Sequence, residues 1–252
     1  MPKYDLSFTP PIMNAAGILG FAPGNRDMLD WSELGAFVTN PVSIGPRTPA
    51  RGKRFIPYPG GFLLHSGYPN PGFTQVLRRY AGRWKRSPVA VIVHLLAQAA
   101  GELETMAHRL EVVEGVQALE IGVSSEASAT MVGEFTQAAV GELPVIVRLP
   151  LECAPKLAMC AIQAGAVAIS LAPPRGLMPA GEEEFVQGRL YGPSIFPNAL
   201  MVIRALKQQG APVIGAGGIY SREQVNAMLI AGAMAVQLDS ALWRDSGSKI
   251  FQ

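Results

Sequence analysis

The chain has 252 residues, 49% of them hydrophobic and 16% charged, with a formal net charge of +2. This is enough apolar content for one sizeable core and matches the usual length of an α/β barrel. The near-neutral balance argues against nucleic acid as a partner. No run reaches the roughly 20 apolar residues needed to cross a bilayer, and the opening MPKYDLSFTPP lacks the apolar run of a signal peptide. Cys153 and Cys160 have no His or Asp at ligand spacing. The expectation is a soluble, cytoplasmic protein in a reducing compartment, with no metal and no membrane partner.

Short runs rich in Val and Ile, bounded by Gly and Pro, predict strands at 11–16, 36–40, 89–96, 118–123, 144–149, 166–172, 212–216 and 235–239. Their continuous hydrophobicity, rather than alternation, points to a parallel sheet covered on both faces. Helical spacing fills the intervals 25–34, 73–84, 99–114, 127–140, 154–164, 198–209 and 221–231. The βα unit recurs close to eight times, which predicts an α/β fold: one (β/α)8 TIM barrel spanning 1–252 as a single domain. A doubly wound open sheet is the other reading, with fewer crossovers expected.

AGAVAISL (164–171) and AGAMAVQL (231–238) echo each other, and LGAFVTN (34–40) is a looser copy. The glycine in this scheme suits the left-handed residue that ends a helix. The Pro- and Gly-rich stretch 44–73 is too long for an ordinary βα connection. After the second strand it lies on the C-terminal face of a barrel, which makes it a candidate lid. Its segment RTPARGKR (47–54) reads either as an anion-attracting loop or as a solvated one.

NAAGILG (14–20), LGAFVTN, PGGFLLHSGYPNPGF (59–73), PVIVRL (144–149), YGPSIFPNAL (191–200) and PVIGAGGIYSREQVNAMLIAGAMAVQL (212–238) resemble, in the same order, segments of the dihydroorotate dehydrogenases, especially the soluble class. The link from Arg175 to Tyr191 and the tail after Trp243 are shorter than is usual there. The resemblance implies a barrel that binds FMN and transfers hydride to or from a small ring. It places Ala15, Ala16, Gly17 and Gly20 against the flavin, and Gly192, Gly217, Gly218 and Ser240 around its phosphate. Glycine lets N–H groups converge on an anion without a Cβ in the way; a tight turn is the other explanation of Gly217-Gly218. Arg148 takes the place of a cation facing the electron-rich end of the flavin, or is a salt-bridged barrel arginine. Ser125 falls at the position of the proton-abstracting base, while Ser124 or Ser125 also suits a helix N-cap.

The departures from that pattern fall at the site. Leu64, Gly122 and Ala127 stand where asparagines would hold orotate, and Ala172-Pro173-Pro174 replaces an asparagine pair. Each lost partner is worth about 1–3 kcal/mol, so orotate is not the expected ligand. Asn40 stands for a flavin-binding lysine, and Asp239 replaces a glycine of the phosphate cup. Two like charges about 4 Å apart cost roughly 4 kcal/mol at an intermediate dielectric. With its carboxylate pointing inward, Asp239 is expected to fill the anion site itself, accepting the N–H groups that a phosphate would use; with the carboxylate pointing outward, FMN still fits.

On the lid, Ser66, Gly67, Tyr68 and Asn70 are candidate substrate contacts. His65 is a candidate acid or base, or a solvated loop histidine. His94 points into the barrel mouth or the core, and His108 sits on the surface. The leading reading is an FMN-dependent oxidoreductase acting on a small molecule other than orotate, with Ser125, Arg148 and His65 as catalytic candidates. The alternatives are a barrel that has lost FMN and uses another small molecule, or a non-catalytic relative. A homodimer is one expectation for its assembly.

Overall fold

The computed structural model describes residues 6–24 and 29–243. In chain order come β1 (Ile12–Asn14), β2 (Ala36–Val38), β3 (Val42–Ser43), β4 (Phe55–Tyr58), β5 (Gly61–Leu64), α1 (Phe73–Trp84), β6 (Ala90–Leu96) and α2 (Ala100–Glu111). They are followed by β7 (Val116–Gly122), α3 (Ala129–Ala139), β8 (Val145–Pro150), α4 (Ala154–Gln163), β9 (Ala168–Ala172), β10 (Arg175–Pro179) and β11 (Phe185–Tyr191). The series closes with α5 (Phe196–Gln208), β12 (Val213–Ala216), α6 (Arg222–Ala231) and β13 (Ala235–Leu238).

Eight parallel strands run β1–β2–β6–β7–β8–β9–β12–β13, and β13 pairs again with β1, which closes the expected TIM barrel. Each predicted strand lies on one of these eight. The second is broken at Pro41: β2 pairs with the start of β6 and β3 with its end. Between them Thr39 donates its N–H to Ile92 O (3.0 Å), and its hydroxyl accepts the N–H of His94 (3.0 Å). Six of the seven predicted helices form. In place of the helix expected over 25–34 there is a 3-10 turn, Trp31–Glu33, capped by Asp30; residues 25–28 lie outside the described part. Ser128, not Ser124 or Ser125, caps α3, accepting from Met131 N–H at 3.1 Å. Gly165 and Gly232 both adopt positive φ where a helix ends, which explains the repeated Ala-Gly-Ala. Gly35 in the looser copy serves packing instead, because a Cβ there would run into the backbone of Pro10.

Two cores result. The larger lies between the strands and the helices, and the smaller fills the barrel with Met13, Ile92, Ala118, Ile146, Ala168, Ile214 and Ala235. The stretch 44–73 is not a bare loop. Its β4–β5 hairpin joins a second hairpin, β10–β11, in a four-stranded antiparallel sheet ordered β10–β11–β5–β4. The link that reads as short in the sequence is thus half of a small sheet that stands beside the C-terminal ends of the strands.

Candidate functional site

Along a strand, side chains two apart face the same way. One step beyond the apolar barrel layer, the inward positions turn polar: His94 follows Ile92, Glu120 follows Ala118, Arg148 follows Ile146, Ser170 follows Ala168 and Gln237 follows Ala235. All five are buried, and Glu120 is their centre. One carboxylate oxygen accepts from His94 Nδ1 (2.7 Å) and Arg148 Nη1 (3.3 Å). The other accepts from Ser170 Oγ (2.6 Å) and Gln237 Nε2 (2.7 Å). Burial alone would raise the Glu120 carboxyl, but Arg148, His94 and Ser170 outweigh it and hold it well below the usual carboxylate range. Burial is the largest influence on His94 and lowers it; Glu120 raises it, Arg148 and Arg189 lower it, and the net shift is downward, so the imidazole is disposed to be neutral. Burial works against the Arg148 charge, yet Glu120 keeps its pKa above the ordinary value.

Above this floor lies a cavity of about 280 Å³, near the lower end of the roughly 300–1,000 Å³ typical of small-molecule sites. Arg148 and His94 form its base, and Gly122, Ser124 and Ser125 follow from the end of β7. Arg47, His65, Gly67 and Tyr68 enter from the lid stretch, and Arg175 and Arg189 from the β10–β11 hairpin. Arg189 lies 4.0 Å over the Tyr68 ring, which fixes the guanidinium at the wall. Buried Nε of Arg175 has no hydrogen-bond partner among the described residues. Among the described residues, four arginines and no carboxylate line the walls, an arrangement suited to an anion with planar oxygens.

The mouth around β12, β13 and β1 is built differently. Asp239 is buried, 3% exposed, and its carboxylate accepts from Ser240 Oγ (3.1 Å) and faces the backbone N–H groups of Ser240 and Gly218. Burial raises the Asp239 carboxyl, opposed by these bonds and by Arg148. Tyr220 OH meets Ser240 Oγ at 2.8 Å. Gly192 and Gly218 have positive φ, and a Cβ on Gly218 would stand 2.5 Å from Phe196 N; one on Gly192 would strike Gly60 and Gly61. Trp243 donates Nε1–H to Ile18 O (3.0 Å) and packs 6.2 Å from both Phe62 and Tyr191. Phe62 and Tyr191 stack at 5.3 Å. Burial pushes the Tyr191 hydroxyl upward. The loop after β1, the small sheet and the turn after β13 are thereby sewn together.

Of the residues expected to act, the cavity gathers Ser125, Arg148, His65, Gly67 and Tyr68. The Ser125 hydroxyl has no hydrogen-bond partner among the described residues. Ser66 and Asn70 are used inside the lid: Ser66 Oγ accepts Tyr68 N–H (3.2 Å), and Asn70 accepts Gly72 N–H (3.0 Å) and donates to Ser43 Oγ (3.0 Å). Of the residues expected to hold FMN, only Arg148 lines the cavity. Asn40 exchanges two bonds with Gly20, at 2.7 and 3.1 Å. Ala15 donates its N–H to Leu238 O (2.7 Å), and Ala16 and Gly17 continue that loop, with Gly17 at φ +89°. Gly217 packs beneath Ile195. The N–H groups of Gly218 and Ser240 face Asp239, and Gly192 and Gly218 lie against backbone, so these residues do not fit FMN at its phosphate end. Glu120, Ser170, Gln237, Arg175 and Arg189 escaped the sequence reading; for the first three the available signal was a single polar residue inside an apolar run, whereas Arg175 and Arg189 lie in the β10–β11 hairpin.

A family model described as dihydroorotate dehydrogenase matches residues 3–148 and 176–252. The unmatched interval contains β9 and the Ala172–Pro174 turn. The chain is similar to catalytic subunits of dihydroorotate dehydrogenase B (NAD(+)). It is 30% identical to that of Desulforudis audaxviator, with 94% of this chain and 84% of that protein covered. To that of Geotalea daltonii it is 28% identical, over 93% and 84%. To that of Pelobacter propionicus it is 30% identical, over 92% and 83%.

Proposed function

The chain belongs to the dihydroorotate dehydrogenase family, and from that premise we propose that it takes a small anionic molecule other than orotate in the arginine-lined cavity, without FMN in the phosphate cup. The observation that carries this reading is the division of the barrel mouth. Arg47, Arg148, Arg175 and Arg189 converge on open space at one side, and Asp239 answers the cup N–H groups at the other. Leu64, Gly122 and Ala127 supply no amide for a pyrimidine ring. The ligand class is a small carboxylate or a comparably charged oxyanion, gripped by guanidinium forks.

Family membership favours a second reading, an FMN-dependent oxidoreductase acting on the same anion. FMN, when bound, would supply the hydride acceptor or donor. Arg148 would then face the flavin, and Ala15, Ala16, Gly17, Gly20, Asn40, Gly192, Gly217, Gly218 and Ser240 would surround it.

The visible absorption spectrum of the purified protein, followed by FMN titration of the wild type and of Asp239→Gly, separates the two. The first reading expects a colourless protein that ignores FMN, with binding gained or strengthened in Asp239→Gly. A flavin spectrum, or saturable micromolar FMN binding by the wild type, would establish the second. No described helix is long and apolar enough to cross a membrane. We place the protein in the cytoplasm as a homodimer, which fractionation and sedimentation velocity would check.

A further inference from the structure

We infer that His94 and Glu120 form a proton-accepting dyad in the floor of the arginine-lined cavity, with Nε2 of His94 as the atom that takes a proton from the bound anion. The inference rests on the anion reading of this cavity and adds the group that does chemistry there.

Three features of the geometry lead to it. Glu120 accepts from His94 Nδ1 at 2.7 Å and is itself fixed by Arg148, Ser170 and Gln237, so the ring hydrogen is held on Nδ1 and the lone pair on Nε2. Nε2 has no hydrogen-bond partner among the described residues, although the residue is only 2% exposed and lines the cavity. Gly122 accounts for its accessibility: a Cβ there would stand 2.7 Å from Nε2 and 3.0 Å from the neighbouring ring carbon. The position where the family resemblance leads one to expect an asparagine is therefore one that His94 needs empty. A buried base, a carboxylate that orients it and a missing side chain that opens it belong to one arrangement.

In the step itself, an X–H bond of the bound molecule breaks and its electron pair stays on X beside the Arg148 cation. The proton forms the N–H bond at Nε2, giving an imidazolium balanced by Glu120. Glu120, Arg148 and Arg189 are the charged groups that act on the ring, and Arg47, Arg175, His65 and Tyr68 share the cavity wall. With the cavity empty, burial and the two arginines favour the neutral base. An anion between those arginines offsets their charge and raises the proton affinity of His94; the proton comes from X–H when the ligand carries one, and from solvent, as uptake, when the ligand, like oxalate, carries none. Glu120 acts through His94 and is a positioning residue.

Long-range 1H–15N spectra of the imidazole rings, recorded near neutral pH without ligand, test the tautomer. Calorimetric titration with oxalate in two buffers of different ionisation enthalpy tests the coupling; both oxalate carboxylates stay ionised over about pH 6–8. The expected results are a neutral His94 with hydrogen on Nδ1, and about one proton taken up per oxalate bound. Affinity should rise by up to about tenfold for each unit by which the pH is lowered. His94→Gln removes the uptake, His65→Gln keeps it, Glu120→Gln loses it and Glu120→Asp restores it. A hydrogen on Nε2 in the free protein, or uptake that persists in His94→Gln, overturns the dyad. So does oxalate binding by the wild type without uptake, although that leaves the anion cavity standing. Failure of oxalate to bind sinks the anion reading instead, and the tautomer then decides the dyad alone.

Discussion

The two sides of the barrel mouth solve the same problem in opposite ways. Where β6, β7, β8 and β9 end, buried charge is collected under a cavity, and every lone pair of Glu120 is engaged. Where β12, β13 and β1 end, a single carboxylate plugs its own backbone cup, and Tyr191, whose hydroxyl feels the Asp239 charge, packs with Phe62 and Trp243. The first side spends polar groups to leave space; the second uses them to remove it. A barrel can change its ligand in this way without touching the apolar layer below, because the inward residues of each pleat are independent of those one step down.

The sharpest way to break the first side is Glu120→Ala. It leaves Arg148 and His94 buried without their carboxylate, and removing one partner of a buried pair costs about 3–5 kcal/mol. Urea denaturation at neutral pH should register that loss. Acid should not mimic it in the wild type. The Glu120 carboxyl is depressed, so its stabilising contribution is present above the unfolded value and is lost only as pH falls through the much lower folded value. Next in size is Arg148→Met, which removes a guanidinium from the cavity base. Charge-assisted bonds of about 1.5–3 kcal/mol translate to roughly 10–100-fold weaker oxalate binding, read by calorimetry. Unchanged binding would mean that the outer arginines alone hold the anion.

The fold was legible because the barrel strands are short, continuous apolar runs and six of the segments between them carry a helical period. The small sheet was not. Its strands FIPY, GFLL, RGLMP and FVQGRLY each carry Pro or Gly, and its two local hairpins are joined by the β5–β11 pairing across more than 100 residues of sequence; nothing local specifies that join. The site was half legible. Arg148 and Asp239 stand out as charges inside apolar runs. Glu120 sits inside the same kind of run, in ALEIG, and counting inward positions at a period of two from Ala118 would have placed it in the barrel. Arg175 and Arg189 could not be found this way, because their place at the cavity depends on the unseen hairpin pairing.

The second side is tested first by Trp243→Ala. Trp243 is 44% exposed, so the loss should be nearer 2 kcal/mol than the larger figure for a core aromatic, and it should appear as a lower Tm at unchanged oxalate affinity. A variant that weakens oxalate as much as it lowers Tm would show that the two sides are one unit.

The smallest effect, and the most specific, belongs to Asp239→Asn. Burial holds the Asp239 carboxyl above its unfolded value, so between the two values the folded protein keeps a proton that the unfolded chain has given up. Stability therefore falls as pH rises through that window and levels off above it. Asparagine cannot ionise, so this part of the pH dependence disappears in the variant while the side chain keeps its size. The difference in Tm between wild type and Asp239→Asn should thus shift in favour of asparagine on going from acid to neutral pH. A difference that is flat with pH would mean that the Ser240 and Gly218 N–H groups stabilise the charge as fully as water does. The cup would then be a strong anion site in its own right, held by an aspartate where a phosphate could be exchanged for it.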